Sequence, residues 1–314
     1  VSSAPGFFRT SLPEMMARGY KHEMTLGPII STGTLAILIP PSAMAVFIGA
    51  MGSVSISKLL LAITLPGILL AVLMAGYIVV RCKMDPSLAP SYDVAKVPLR
   101  EKLKATLYYL VPIGIILLAV MGSIFLGVAT PSESAALGVV ACVLVAVMYR
   151  QFSWRMLFRA CRSTVRISVM VFFIVVGSIS FGRLLATSGA VTGLTEWATN
   201  LDVPPLAIVA FTQIVLLILG AFMDPASIVM ITAPIFFPLA KELGYDLMWF
   251  AVLSLINIQL GLISPPFGLD VYTMKAVAPK EVNLGTVFRS SIPFLLIGFL
   301  LMVFVFTIPQ WASN

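Results

Sequence analysis

The sequence contains few residues of the kinds on which enzymes and metal sites depend. His22 is its one histidine, and Cys82, Cys142 and Cys161 lie too far apart for a disulfide framework or a metal site. Metalloprotease and phosphate-binding-loop signatures do not occur in the sequence. We therefore expect a protein that is not an enzyme, performs no covalent chemistry and carries no cofactor.

Charge is also scarce, because only 11% of the 314 residues are charged whereas 60% are hydrophobic. The mean hydropathy is +1.05. Apolar runs long enough to cross a bilayer recur at Leu59–Val80, Ala105–Gly127, Ala135–Tyr149, Ile167–Ala186 and Ile292–Ile308. The net charge of +7 comes from basic residues in short loops between these runs, which is typical of cytoplasmic loops. The pattern predicts an all-α integral membrane protein that has the lipid bilayer as a partner and binds no nucleic acid.

The chain repeats itself when it is shifted by 225 residues without a gap. The segment Pro13–Phe47 then lies on Pro238–Tyr272. The identical pairs that carry most weight are Pro13/Pro238, Gly19/Gly244, Tyr20/Tyr245, Pro40/Pro265 and Pro41/Pro266. A long segment, Val165–Phe237, precedes the second copy, whereas only "VSSAPGFFRTSL" precedes the first. We expect that the chain lacks the opening helices of its first repeat.

Both copies contain a helix interrupted by two prolines, in "ILIPPSAM" (Ile37–Met44) and "GLISPPFGLD" (Gly261–Asp270). Paired prolines remove backbone donors and leave earlier carbonyls without partners, while Gly261 and Gly268 permit unwinding. Irregular backbone at membrane depth is tolerated where it is buried in protein or lines a wet cavity. Paired interruptions in two halves therefore indicate the binding site of a secondary transporter. Two ordinary proline kinks are the alternative.

Polar side chains at both breaks supply oxygen atoms suited to a hard cation such as Na⁺. Ser264 does so in the second copy, and Thr32, Thr34 and Ser42 do so in the first, where Gly33 adds flexibility. A half-helix N-terminus beside them can face an anionic substrate. The same hydroxyl groups could equally serve as packing groups between helices.

Basic loops predict which side of the membrane each segment faces. The stretches Arg81–Lys104 and Arg150–Arg166 are rich in Lys and Arg, so both are expected in the cytoplasm, with an out-and-back helix pair between them. The turn between these helices and the loop "EWATNLDVPP" are then external. Arg155, Arg159, Arg162 and Arg166, mixed with apolar residues, predict an amphipathic helix at the membrane surface.

Two interpretations fit the segment Pro204–Lys241. A single full span at Leu206–Phe222 would make the two repeats parallel and place Lys275, Lys280 and Arg289 outside, against the charge rule. A re-entrant hairpin with its tip at Phe222–Ser227 makes the repeats inverted and keeps these cations in the cytoplasm. We prefer the re-entrant hairpin, because it makes the two repeats inverted and also satisfies the charge rule.

Two acids and one short motif have structural alternatives. Asp224 at the predicted hairpin tip is either an intramembrane functional acid or the cap of the next helix, with Pro225 as its first residue. Asp270 is the other notable acid, and Lys275, about one helical turn further on, could simply neutralise it. "TPSE" at Thr130–Glu133 predicts a capping box, a structural feature.

These features resemble the large membrane subunit of the tripartite ATP-independent periplasmic (TRAP) transporters. The resemblance rests on "PEMMARGY", "GTLAILIPPS", "LAITLPGILLAVL", "GVATPSESAALGVV", "MDPASIVMITAPIFFP" and "INIQLGLISPPFGLDVY". It implies an inverted-repeat, elevator-type transporter with re-entrant hairpins and broken helices in a bacterial or archaeal inner membrane. It also implies Na⁺-coupled uptake of a small organic acid, a small membrane subunit and a periplasmic substrate-binding protein as partners.

The resemblance also implies two groups of sodium and substrate residues. The first repeat would contribute Thr32, Gly33, Thr34, Ile39, Pro40, Pro41 and Ser42. The second would contribute Met223, Asp224, Pro225, Ser227, Gly261, Ser264, Pro265, Pro266, Gly268 and Asp270. Members of this family carry Asn where Asp270 stands, so an acid here could alter the coupling ion. The Ser-rich tip of the family's first hairpin would lie around or before Val1, and the first site is therefore expected to be incomplete.

The predicted organisation has moving and fixed parts. Residues 1–54 and 204–280 form the transport part, whereas 55–203 and 281–314 form the scaffold with its interfacial arm helices. Two other functions remain open. One is a binding-protein-independent, ion-coupled anion transporter of the same architecture. The other is an intramembrane aspartyl protease using Asp224 and Asp270, although the Gly-x-Gly-Asp type of motif is missing.

Overall fold

The computed structural model describes residues 4–90, 98–190, 193, 196, 203–279 and 281–307. Over these residues the chain forms twelve α-helices and no strand, which confirms the all-α prediction. Their bounds are α1 Ala4–Ala17, α2 His22–Thr34, α3 Ala43–Met51, α4 Ile56–Met84, α5 Leu99–Phe125, α6 Pro131–Met148, α7 Trp154–Thr187, α8 Pro205–Phe222, α9 Pro225–Glu242, α10 Leu247–Gly261, α11 Leu269–Val277 and α12 Leu284–Thr307.

Six of the described helices, α4 to α8 and α12, are long and apolar enough to cross a membrane. A helix satisfies its own backbone groups, so it is the form that an apolar segment adopts where water is excluded. The predicted external loop "EWATNLDVPP" lies mostly outside the described residues, as do Lys96, Lys280 and Ile308. The orientation derived from the basic loops stays a prediction.

The chain divides into two compact units, one of Val1–Tyr92 with Ser178–Asn314 and one of Asp93–Gly177. In the second unit α5 and α6 pack on each other as the predicted helix pair. The Ser123 hydroxyl donates to the Ser134 hydroxyl at 2.7 Å, and the Tyr149 hydroxyl donates to the Tyr108 carbonyl. Polar groups thus tie the apolar pair together near both ends.

The capping box at the start of α6 is confirmed. The backbone N–H of Thr130 donates to Glu133 Oε2 at 2.7 Å, and the N–H of Glu133 donates to Thr130 Oγ1 at 3.4 Å. Pro131 is the first helical residue, where its missing N–H needs no partner. The motif therefore serves to begin a helix.

We expect Thr130→Ala to destabilise the protein by about 0.5–2 kcal/mol, because one N–H of the first turn loses its acceptor. Thermal unfolding in detergent measures the change. Thr164→Ala is the matched control, since the exposed Thr164 hydroxyl bonds just the Ala160 carbonyl of its own helix within the part of the chain that the structure describes. Equal losses in the two variants would contradict a capping role.

The first unit contains the sequence repeat, and the helices follow it closely. α1 ends at Ala17 and α9 at Glu242, while α2 begins at His22 and α10 at Leu247, so both boundaries are 225 residues apart. Gly19 and Gly244, which lie between these helices, share a φ of +80°. The two segments are therefore structural as well as sequence equivalents.

The equivalent helices also pack reciprocally. α3 of the first repeat packs on α9 of the second, and α11 of the second packs on α1 of the first. Likewise α2 packs on α12 and α10 packs on α4. In the core between α1 and α11, Phe8 and Leu12 meet Val271 and Met274. Exchanged contacts of this kind indicate that a pseudo-two-fold axis relates the repeats.

Candidate functional site

The first break interrupts the helix between α2 and α3. After Thr34 the chain tightens into a 3₁₀ turn, Leu35–Ile37, because the following prolines cannot continue the helical ladder. The Ser42 hydroxyl restarts the helix, since its Oγ accepts from the N–H of Ala45 at 3.2 Å and donates to the Ile37 carbonyl at 2.6 Å. Ser42 thus holds the two ends of the break together.

The second break lies between α10 and α11. Here Gly268 is the N-cap residue directly before α11 and has a φ of +48°, a backbone conformation that residues with a Cβ rarely adopt. The N–H of Asp270 donates to the Leu262 carbonyl at 3.2 Å, so the chain folds back across the break. The Ser264 hydroxyl donates to the Leu260 carbonyl at 2.8 Å.

Both breaks expose the same row of backbone oxygens. Within the described residues, no hydrogen bond reaches the carbonyls of Leu38, Ile39, Pro40 and Pro41, or those of Ile263, Ser264, Pro265 and Pro266. These sets are equivalent at the offset of 225 residues. Both Pro–Pro peptide bonds are cis. Unwound carbonyls at helix breaks are the groups that coordinate Na⁺ in secondary transporters.

The tip between α8 and α9 contains the cap that the sequence offered as an alternative for Asp224. The Asp224 carboxylate accepts from the N–H of Ser227 at 3.1 Å and from its hydroxyl at 2.5 Å. Pro225 is the first residue of α9, and Met223 is half-buried before the cap. α8 and α9 therefore form a tight helical hairpin, while its re-entrant orientation stays a prediction.

This hairpin contacts the second break through backbone. A Cβ built on Gly261 would lie 2.6 Å from the Cα of Gly220, so the two helices touch without side chains between them. The N–H of Gly268 donates to the Ala221 carbonyl at 3.2 Å. The structure thus brings the predicted tip and the predicted break of the second repeat into one site.

Other candidate residues lie less centrally. The exposed Thr32 hydroxyl donates to the Pro28 carbonyl at 2.7 Å and lines a cleft of about 480 Å³ with Ser11 and Glu14 of α1. Gly33 is half-buried in the last turn of α2. Ile39, Pro41, Pro265 and Pro266 are exposed, and Pro40 is half-buried. Sodium or substrate roles for these residues stay predictions.

Asp270 is 7% exposed, and among the described residues its side chain has no hydrogen bond or ion pair. The alternative in which Lys275 neutralises it is not what the structure shows. The Lys275 ammonium instead donates to the Val282 carbonyl. A buried carboxyl without a charge partner is unusual, so Asp270 keeps its place among the candidates.

The sequence reasoning missed three residues of this region: Gly220, Ala221 and Gln259. Gln259 is fully buried in α10, and its Nε2 donates to Thr34 Oγ1 at 3.2 Å. Gln259 could have been found from the sequence, because the alignment of the two repeats pairs it with another polar residue, Thr34. Nothing in the sequence marked Ala221, which acts through its backbone carbonyl.

Two helices broken at equivalent points, a capped helical hairpin against one break and six described helices that are long and apolar enough to cross a membrane are the features of a secondary membrane transporter. The comparison with known families agrees. The family described as "Tripartite ATP-independent periplasmic transporter, DctM component" matches residues 1–311. The chain belongs to this family.

Named relatives come from several bacteria. The C4-dicarboxylate TRAP transporter large permease protein DctM of Pseudomonas aeruginosa is 33% identical over 94% of this chain and 68% of its own length. The ectoine/5-hydroxyectoine large permease protein UehC of Ruegeria pomeroyi is 28% identical over 96% and 69%. The sialic acid large permease protein SiaM of Vibrio cholerae is 26% identical over 99% and 72%.

The family assignment decides between the functional classes. The chain is a multi-pass protein of the bacterial inner membrane and a transport permease. It is therefore not an enzyme, and this excludes the alternative of an aspartyl protease that uses Asp224 and Asp270.

Proposed function

We propose that the chain is the large membrane subunit of a Na⁺-coupled importer that takes up a small organic acid. In this proposal a periplasmic binding protein delivers the substrate, and a small membrane subunit completes the transporter. The observation that carries the sodium proposal is the pair of equivalent carbonyl rows at the two breaks. The family membership supports the two protein partners.

The substrate class follows from the relatives' printed names. C4-dicarboxylates, sialic acid and ectoine all contain a carboxylate, so we propose a carboxylate substrate for this chain as well. No Lys or Arg occurs in Leu38–Ser42 or Gly261–Gly268. The carboxylate would therefore be held by hydroxyl groups and by backbone N–H groups at the starts of α3 and α11.

The driving force would be Na⁺ entering with the substrate. Each sodium charge that crosses the membrane contributes about 2.3 kcal/mol per 100 mV, in addition to its concentration gradient. We further propose that residues 1–54 and 204–280 move together as the carrier part of an elevator. The reciprocal packing of α3 on α9 and of α11 on α1 supports this, because it joins the two repeats into one body.

Uptake into proteoliposomes tests the proposal. The transporter assembled from this chain and the small membrane subunit is reconstituted, and radiolabelled C4-dicarboxylate is supplied with the binding protein outside. We expect uptake only when an inward Na⁺ gradient is present. Uptake that continues unchanged after Na⁺ is replaced by choline would contradict sodium coupling.

The same assay separates the alternative. A binding-protein-independent anion transporter would accumulate the free dicarboxylate when the binding protein is omitted. We expect no accumulation under that condition, because the substrate would reach the breaks only from the binding protein. Full uptake without the binding protein would favour the alternative and leave the sodium result intact.

A further inference from the structure

The hydrogen bond between Thr34 and Gln259 joins residues that are equivalent in the two repeats. Their numbers differ by 225, which is the repeat offset. In a two-fold arrangement, a residue can touch its own equivalent only at the axis. This pair therefore marks the pseudo-two-fold axis, midway between the two breaks.

Both residues lie next to their breaks. Thr34 is the last residue of α2, four residues before Leu38, whose carbonyl begins the free row of the first break. Gln259 lies two residues before the end of α10, four residues before the first free carbonyl of the second break, that of Ile263. The contact therefore lies about one helical turn from each break. A shift of either helix end during ion binding would move it.

Both partners of this contact are buried. Thr34 is 2% exposed and Gln259 0%. The Thr34 hydroxyl donates to the Ser31 carbonyl at 2.8 Å, so its oxygen accepts from Gln259 in one fixed direction. Gln259 Oε1 is buried and has no hydrogen-bond partner among the described residues. Among the described residues the amide thus has one hydrogen bond, and that bond spans the axis.

We propose that the Thr34–Gln259 hydrogen bond is a positioning contact that couples the two ion sites, so that Na⁺ at one break favours Na⁺ at the other. This inference rests on the proposed sodium function. Ordering one break fixes its helix end, and the shared hydrogen bond then fixes the other helix end before its ion arrives. Coupling of this kind is reciprocal, because each ion changes the affinity for the other by the same factor.

The experiment is the Na⁺ dependence of initial uptake by the assembled transporter. We expect a sigmoidal curve in the unaltered protein, with a Hill coefficient approaching about 2 for two coupled sites. Gln259→Met fills a similar volume without an amide. In this variant we expect the Hill coefficient to fall to about 1 and the half-saturating Na⁺ concentration to rise at least about fivefold.

A matched control separates coupling from the loss of any buried polar group. Ser254→Ala removes a hydroxyl from the same helix. Ser254 is 3% exposed, and among the described residues its hydroxyl bonds the Phe250 carbonyl alone, at 2.8 Å. We expect its Hill coefficient to equal that of the unaltered protein. If Gln259→Met does not assemble, Gln259→Asn replaces it, since the shorter amide cannot reach Thr34.

A double-mutant cycle completes the test. Thr34→Val and Gln259→Met together should lower cooperativity no further than either change alone, because both remove one shared contact. The inference is overturned if Gln259→Met keeps the original Hill coefficient, or if the unaltered protein depends on Na⁺ with a coefficient of about 1. Uptake of the unaltered protein that is independent of Na⁺ would instead overturn the proposed function itself.

Discussion

Replacing Gly261 by alanine is expected to abolish uptake by the assembled transporter. The new Cβ would lie 2.6 Å from the Cα and 2.9 Å from the carbonyl carbon of Gly220. Backbone atoms cannot rotate out of the way as a flexible side chain can, so α8 must move away from α10. Overpacking of this kind costs about 1–3 kcal/mol, and it also separates Ala221 from Gly268.

Two further variants identify the cause of the loss. Gly76→Ala adds the same methyl group in α4, where nothing lies within 4 Å, and should leave uptake and thermal stability nearly unchanged. Gly220→Ala should resemble Gly261→Ala, since its Cβ would lie 2.9 Å from the Cα of Gly261. The double variant should lose less stability than the sum, because one clash already opens the gap. Normal uptake in Gly261→Ala would show that the close approach is dispensable.

The repeat could be predicted because proline and glycine constrain the backbone wherever they occur. Pro40, Pro41, Pro265 and Pro266 located both breaks from the sequence, and Gly19 with Gly244 located the turns before α2 and α10. The capping box at Thr130 and the cap at Asp224 were predictable for a related reason. A cap joins residues three apart, so its pattern is complete within a short stretch of sequence.

The contacts that assemble the site could not be predicted in the same way. Ala221 meets Gly268 across 47 residues of chain, as the hydrogen bond between them shows, and Gly220 meets Gly261 through atoms that every residue possesses. Neither contact has a chemical signature in the sequence. Among the described residues Asp270 has no charge partner, and this too is a property of the fold, because Lys275 lies near in sequence but bonds the Val282 carbonyl.

Gln259 shows that the non-identical positions of a repeat alignment can identify contacts, as the identical positions do. In that alignment Thr34 lies opposite Gln259, and both side chains are polar. Equivalent polar residues in two halves are candidates for a contact on the symmetry axis, where they can satisfy each other. Packing alone would have favoured an apolar pair at this position.

Gly268→Ala is expected to weaken sodium binding at the second break by about tenfold or more, which corresponds to about 1.4 kcal/mol. The φ of +48° disfavours any residue with a Cβ. The new Cβ would also lie 3.1 Å from the Ser264 carbonyl oxygen and 3.2 Å from that of Leu262. Since the Ser264 carbonyl belongs to the free row, pushing it aside disturbs the proposed ion ligands.

Gly244→Ala is the control that separates backbone strain from the displaced carbonyls. Gly244 has a φ of +80°, and nothing lies within 4 Å of a Cβ built on it. It should therefore lose about 1–2 kcal/mol of stability from the left-handed backbone alone and keep its half-saturating Na⁺ concentration. Thermal unfolding and the Na⁺ dependence of uptake measure both quantities for the two variants. If Gly268→Ala and Gly244→Ala shift the Na⁺ dependence equally, backbone strain explains the effect. The free carbonyls beside Gly268, including that of Ser264, are then not sodium ligands.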